Sequence, residues 1–384
     1  MKKISFENII SFIKKEFPGQ DFIPLHAPVF NGNEKRYLID TIDTTYVSSI
    51  GEYVKRFEKM LCELTGSSYA VATCNGTNAL HLSLLLADVT QQDEVISQSL
   101  TFVATCNAIS YIGSAPVFID IDKDTLGMSA KALKEFLEIN TEIRSDKFTY
   151  NKKSGRRIKA CVPMHTFGFP CRIDEIAGIC NQYNITLIED AAESIGSYYK
   201  NKHTGTFGTL GVFSFNGNKT ITCGGGGAII TNDEKIAKKA KHLTSQSKLP
   251  HAWAFIHDEI GYNYRMPNLN ASLACAQLEQ LKEFICNKRD LAKAYINFFQ
   301  GTQVNFFQEL PEIQANYWLN TVLFKDKLER DAFLEYSNEN GVMTRPAWEL
   351  MHRLPMFSSF EKGNLENSEW VADRLVNLPS SVRL

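Results

Sequence analysis

Apolar positions along this chain alternate between two patterns. Short apolar runs of strand length are followed by stretches whose apolar residues fall three and four apart, the spacing of one helix face. The runs predict strands at Tyr69–Thr73, Glu94–Ser97, Pro116–Asp120, Ile158–Met164, Thr186–Asp190 and Val212–Phe215. Helices are predicted between them at Ala79–Leu86, Phe102–Ile112, Ala130–Leu137 and Ile173–Tyr183. Strands alternating with helices imply an α/β fold, with a mostly parallel sheet covered on both faces. The polar stretch Thr141–Arg157 interrupts the alternation and reads as an exposed hairpin or excursion.

The flanks have a different character. Ile4, Phe6, Ile9, Ile10, Phe12 and Ile13 share one stripe, which predicts an amphipathic helix; Pro18, Pro24 and Pro28 keep the chain after it extended. A second helix begins at Asn33–Thr41, Thr45–Gly51 is a polar loop, and an amphipathic helix runs over Lys55–Leu64 to Gly66. From Leu269 a long helix is predicted towards Phe299. A strand at Trp318–Phe324, a helix near Arg330–Asn338 and irregular, aromatic-rich chain follow. The expected division is a lead at 1–35, a large α/β domain at 36–262 and a smaller α+β domain at 263–384.

Composition changes this picture little. A chain of 384 residues exceeds what one core usually supports, which agrees with two main domains. With 44% hydrophobic and 22% charged residues, disorder and fibre are excluded. A net charge of −2 with no basic or acidic block points away from nucleic acid and from a polybasic membrane contact. None of the nine cysteines forms a C-x-x-C pair, so neither a zinc site nor a disulfide framework is expected, and a reducing cytoplasm fits. Glu7 and Lys14 interrupt the apolar N-terminus, which argues against a signal peptide, and no run of about 18 apolar residues predicts a membrane span.

Candidate chemistry lies at the carboxyl ends of the strands, where open α/β sheets bind ligands. Asn75-Gly76-Thr77 stands directly before a helix, whose free N–H groups and dipole suit an anion. Glu189-Asp190-Ala191-Ala192-Glu193 ends a strand in carboxylates beside two small residues. Lys219 sits in a polar turn after Val212–Phe215 and before Gly224–Gly227, where partial desolvation would make its amine nucleophilic. Each has a bland reading: a capped helix, an N-cap carboxylate, a surface lysine. Gly217-Asn218-Lys219-Thr220 is no Walker loop, since Asn218 stands where the second glycine belongs. Pyridoxal 5′-phosphate uses all three features: an anion site for its phosphate, a carboxylate for its ring nitrogen and a lysine for its aldehyde. Ser214 adds a hydroxyl, and Phe102 a ring to stack on the cofactor face.

These segments resemble the DegT-type nucleotide-sugar aminotransferases, a fold-type I pyridoxal-phosphate family. The resemblance rests on Asn75–His81, Leu100–Thr105, His165–Gly168, Glu189–Glu193, Phe213–Lys219 with its glycines, and Gly261–Met266, in the family's order. It implies Lys219 as the Schiff-base lysine and general acid/base, Asp190 at the pyridine nitrogen and Glu193 near the ring hydroxyl. Gly76, Thr77 and Ser214 would hold the phosphate and Phe102 the ring. Asn263 would reach the phosphate from a neighbouring subunit, which implies a homodimer with shared active sites. Ile9–Leu25 and Val162–Gly168 resemble the branch that makes UDP-bacillosamine-type or legionaminic acid precursors. The implied reaction moves an amino group from L-glutamate to C4 of a UDP-linked 4-keto-6-deoxy-N-acetylhexosamine. The alternatives are amination at C3, a GDP- or dTDP-linked sugar, and a pyridoxal-phosphate-binding regulator without turnover. His165 and Arg265 have substrate and structural readings alike. Tyr317, Arg345 and Trp348 could receive the nucleotide, Trp318 reads as core, and Ser49 lies in the loop Tyr46–Gly51 that could contact the sugar.

Overall fold

The computed structural model describes residues 3–383. Its main sheet has the spatial order Tyr69–Thr73, Gly227–Thr231, Leu210–Ser214, Thr186–Asp190, Arg157–Val162, Asp93–Gln98, Ala115–Ile119. All neighbours are parallel except Gly227–Thr231, which runs antiparallel to both strands beside it. The sequence pattern missed this strand, because its first residue closes a glycine run that reads as loop. Its place has a direct consequence. Antiparallel neighbours need no crossover, so residues 215–226 leave and rejoin the sheet at one point, where Ser214 pairs with Gly227. Lys219 is carried on that return. The predicted excursion is a small antiparallel pair, Thr141–Ile143 with Thr149–Asn151.

Side-chain alternation along the strands explains the two covering layers. Val71, Val212 and Ile229 face the helix Gly76–Leu86, which is apolar nearly all round because it lies between the sheet and neighbouring helices. Ala70, Ala72, Phe213, Ala228 and Ile230 face the opposite way, onto Phe57, Leu61 and the long helix Asn268–Phe299. A helix at Glu234–Thr244, capped by Asp233, also escaped the pattern reading.

The C-terminal part builds a second sheet in the order Asn305–Phe306, Asn320–Leu323, Leu375–Leu378, Arg345–Pro346. The strand Leu375–Leu378 and the helix Glu366–Ala372 replace the irregular chain expected there. The N-terminal helix Phe6–Glu16 packs on this part, with Phe6 5.3 Å from Phe333 between ring centroids. The extended lead follows it closely. Ile23 bridges Val342, and the Ser380 N–H donates to the Leu25 carbonyl at 2.8 Å. No helix among the described residues is long and apolar enough to cross a membrane.

Candidate active site

The Lys219 turn is held by its own backbone and by one distant indole. Cys223 N–H donates to the Phe215 carbonyl at 3.0 Å, and Lys219 N–H to that of Asn216 at 3.0 Å. The Trp318 Nε1–H donates to the Asn218 carbonyl at 2.7 Å. The Lys219 amine stands 3.1 Å from Glu193 Oε1 and 4.1 Å from the centre of the Trp318 ring. The glycines after it have separate reasons. Gly224 has φ +80°, which disfavours any residue with a Cβ, while a Cβ on Gly227 would strike the Asn75 backbone. The close approach is therefore to the neighbouring turn.

That turn starts the helix Gly76–Leu86. Asn75 Oδ1 accepts from the Asn78 N–H at 2.8 Å, closing the cap. Gly76 and Thr77 are the first helical residues, whose N–H groups have no acceptor within the helix. A Cβ on Gly76 would lie 2.8 Å from Ser214 Cβ, so glycine lets the Ser214 hydroxyl stand beside the helix start.

Asp190 is 2% exposed. Its Oδ2 accepts from the Thr105 hydroxyl at 2.7 Å and its Oδ1 from the Ala192 N–H at 3.1 Å. Burial raises its pKa, while those two bonds and the Lys219 and His165 charges oppose the rise. Burial likewise pushes Glu193 up to about 7, against the pull of Lys219 and the Phe167 N–H, which donates to Oε2 at 2.9 Å. Asn316 joins the parts: its side-chain amide donates to the Glu193 and Ile195 carbonyls and to Thr220, and its Oδ1 accepts from the Trp318 N–H.

Gly76, Thr77, Phe102, Asp190, Glu193, Ser214 and Lys219 all line one cavity of about 300 Å³. Phe102 is 45% exposed and faces Trp348, with ring centroids 5.9 Å apart. Trp318 is buried in the core, as expected, and also lines this wall together with Trp348. Three substrate candidates, His165, Tyr317 and Ser49, are placed differently from their substrate readings. His165 is fully buried. Its Nε2 lies 3.0 Å from Glu189 Oε2, and its Nδ1 accepts from the Cys171 N–H, so both ring nitrogens are already partnered. Glu189 in turn accepts from the N–H groups of Gly205, Phe207 and Gly208. Tyr317 is 3% exposed and packs edge-on against Phe169, away from the cavity. Ser49 belongs to a loop tied to the long helix, where Asn268 bonds the Ser48 and Tyr46 carbonyls, and it lines neither this cavity nor its neighbour. Arg345 reaches the rim of an adjoining cavity and bonds Asn338 and the Thr344 carbonyl. Asn263 is exposed, bridges Ser245 and lines neither cavity of its own chain. Thr105 and Asn316 were missed. Thr105 lies inside a segment quoted for the resemblance, but Asn316 carries no local signal.

The model of the DegT/DnrJ/EryC1/StrS aminotransferase family matches residues 29–384. The chain belongs to this family. It is a pyridoxal-phosphate-dependent aminotransferase of fold type I. Among curated relatives, GDP-perosamine synthase of Escherichia coli O157:H7 is 36% identical over 361 residues, 94% of this chain and 93% of that protein. The enzyme of the same name from Vibrio cholerae is 36% identical over 93% of this chain and 94% of its own. Among solved structures, the aminotransferase TlmJ from Streptoalloteichus hindustanus superposes with a TM-score of 0.84 at 27% identity, covering 93% of both chains. Helicobacter pylori PseC gives the same TM-score at 22% identity over 93% of each chain, which is a likeness of fold.

Proposed function

We propose that this enzyme transfers an amino group from L-glutamate to the C4 ketone of a nucleotide-linked 4-keto-6-deoxy sugar. The observation that carries this reading is the convergence of Lys219, Asp190 and the free helix start at Gly76–Thr77 on one cavity. This donor set fits pyridoxal 5′-phosphate. Gly76, Thr77 and Ser214 would hold its phosphate through N–H and hydroxyl donors. Asp190 would face the ring nitrogen, where a cationic partner favours the ionised carboxylate that burial alone opposes. Phe102 would lie against the ring and Glu193 near its hydroxyl. When bound, the cofactor supplies the electron sink for amino transfer.

The protein's part is to hold the reactants and move protons. Lys219 is the only amine or imidazole side chain lining the cavity among the described residues. It is therefore the base that takes a proton from the amino donor and returns it during amination. Glu193, 3.1 Å away, keeps the amine oriented into the cavity. Trp318 and Trp348 close the wall with aromatic surface and exclude water from the reacting atoms.

A second copy of the chain would complete the site. Asn263 lines neither of these two cavities of its own chain, and the segment before it exposes Trp253, Phe255 and Ile260 at 81%, 81% and 83%. A homodimer in which Asn263 crosses to the partner's phosphate site accounts for both features. All nine cysteines are free, which supports action in a reducing cytoplasm.

The names of the two curated relatives support a GDP-linked sugar. The resemblance carried by Ile9–Leu25 and Val162–Gly168 favours a second reading, a UDP-linked N-acetyl sugar destined for a surface glycan or a legionaminic acid. The test is to offer the purified enzyme glutamate with 4-keto and 3-keto sugars on GDP, UDP and dTDP, and to identify products by mass and NMR. Formation of a 4-amino sugar supports the proposal. Failure with every ketone, or activity that survives Lys219→Ala, would sink it.

A further inference from the structure

A cavity of about 450 Å³ adjoins the cofactor cavity and shares Asn218, Trp318 and Trp348 with it. One wall is the N-terminal lead, which contributes His26. The backbone is pinned on both sides of this residue. The Leu25 carbonyl accepts from the Ser380 N–H, and the Ala27 N–H donates to Ser381 Oγ, both at 2.8 Å. The ring itself is not satisfied: both nitrogens are shielded from solvent and neither has a hydrogen-bond partner. Buried side-chain nitrogens without partners are uncommon and costly, so such a group calls for a reason.

The chemistry of the ring narrows that reason. Burial, with the nearby Lys288 and Lys219 charges, holds its pKa well below the ordinary value. The imidazole is therefore neutral and offers one donor and one acceptor. A neutral ring with two lysines nearby is poorly suited to pair as a cation with a carboxylate or phosphate. It suits a group that itself donates and accepts, such as a hydroxyl or an amide. The cation of this cavity is Arg345, which is exposed and uses one nitrogen on Asn338 and Thr344. The cavity thus offers a neutral partner at His26 and a charged one at the rim.

We propose that His26 is a specificity-determining residue for the amino acceptor. A turn of the imidazole about its Cβ–Cγ bond, a soft two-fold torsion, brings a nitrogen to the cavity. There it bonds a hydroxyl or N-acyl group on the keto-sugar ring, while the anionic nucleotide part lies towards Arg345. This rests on the keto-sugar reading given above. It assigns the cavity to the acceptor and leaves glutamate to the cofactor side.

The test compares the holoenzyme with His26→Phe and His26→Asn in separated half-reactions, using the keto sugar that the wild type accepts best. Phenylalanine keeps the ring shape and removes both unsatisfied nitrogens. Its Tm should hold or rise, while kcat/KM for the keto sugar falls about tenfold, the equivalent of one hydrogen bond. The rate at which glutamate changes the visible absorbance of the bound cofactor should move less than about twofold on the same scale. Asparagine, which donates and accepts, should recover part of the loss, and calorimetry with the keto sugar should show the same order of Kd. The inference is overturned if His26→Phe leaves kcat/KM for the sugar near wild type, if both half-reactions fall together with a lower Tm, or if the loss is confined to glutamate. A wild type that aminates no ketone in the panel would overturn the functional reading and this inference with it. A competent wild type with an insensitive variant overturns this inference alone.

Discussion

Replacing Thr105 by valine removes one hydroxyl and leaves the shape of the side chain nearly unchanged. That hydroxyl donates to Asp190 Oδ2 at 2.7 Å, inside a site where Asp190 is 2% exposed. Burial already raises the pKa of this carboxyl, and the Thr105 bond is the largest of the influences holding it down. A hydrogen bond to a charged group contributes about 1.5–3 kcal/mol. Its loss should therefore raise the Asp190 pKa further. In the proposed mechanism catalysis needs the ionised carboxylate opposite a cationic ring nitrogen, so the acid limb of kcat/KM should move to higher pH. The alkaline limb should stay in place. Thr105→Ser keeps the hydroxyl and should return the profile to that of the wild type. The measurement is kcat/KM for glutamate from roughly pH 5 to 9, the range that brackets such a shift. An acid limb that does not move in Thr105→Val, or a serine variant that behaves like valine, would refute the assignment of Asp190 and the part given to Thr105.

Three further outcomes are expected. Gly76→Ala places a methyl 2.8 Å from Ser214 Cβ, so its Kd for pyridoxal phosphate should rise about tenfold by equilibrium dialysis while the fold survives; unchanged affinity would remove the phosphate from this turn. Lys288 is fully buried against the Trp318 and Ser380 carbonyls, and burial lowers its pKa from 10.5 to about 7. The unfolded chain binds a proton there that the folded chain lacks, so this stabilising contribution is complete above 10.5 and is lost as pH falls towards 7, at about 1.4 kcal/mol per unit within that window. Denaturant unfolding should show this slope in the wild type and not in Lys288→Met; equal slopes would show that the amine stays charged in the fold. Lastly, sedimentation should give twice the 43.3 kDa of one chain. Mixed Lys219→Ala and Asn263→Ala chains should then regain up to about a quarter of wild-type activity, because half of the dimers hold one intact site; no recovery would mean that sites are not shared.

Much of this enzyme follows from local pattern. The strand and helix periods, the Asn75 cap before an apolar helix and the polar turn around Lys219 are all set by residues close in sequence, and the structure keeps each of them. Lys219, Asp190, Ser214, Phe102 and the Gly76–Thr77 start could be named in advance because strand ends of a parallel sheet meet along one edge. What the pattern could not show is which side chains close on them. Thr105 meets Asp190 across 85 residues and Trp318 meets Asn218 across 100, and no period relates such positions. The strand Gly227–Thr231 was hidden because its pairing belongs to its neighbours, Tyr69–Thr73 and Leu210–Ser214. His165 had ligand and structural readings alike until the Glu189 and Cys171 contacts accounted for its nitrogens. His26 carried no signal at all, since only packing could leave its nitrogens buried without partners. The sequence by itself determined most of the alternating elements and the groups proposed to do the chemistry, because those depend on local spacing. The tertiary structure decided which side chains are satisfied, which are orphaned and which face the cavity, because burial and hydrogen bonding are settled between residues far apart in the chain.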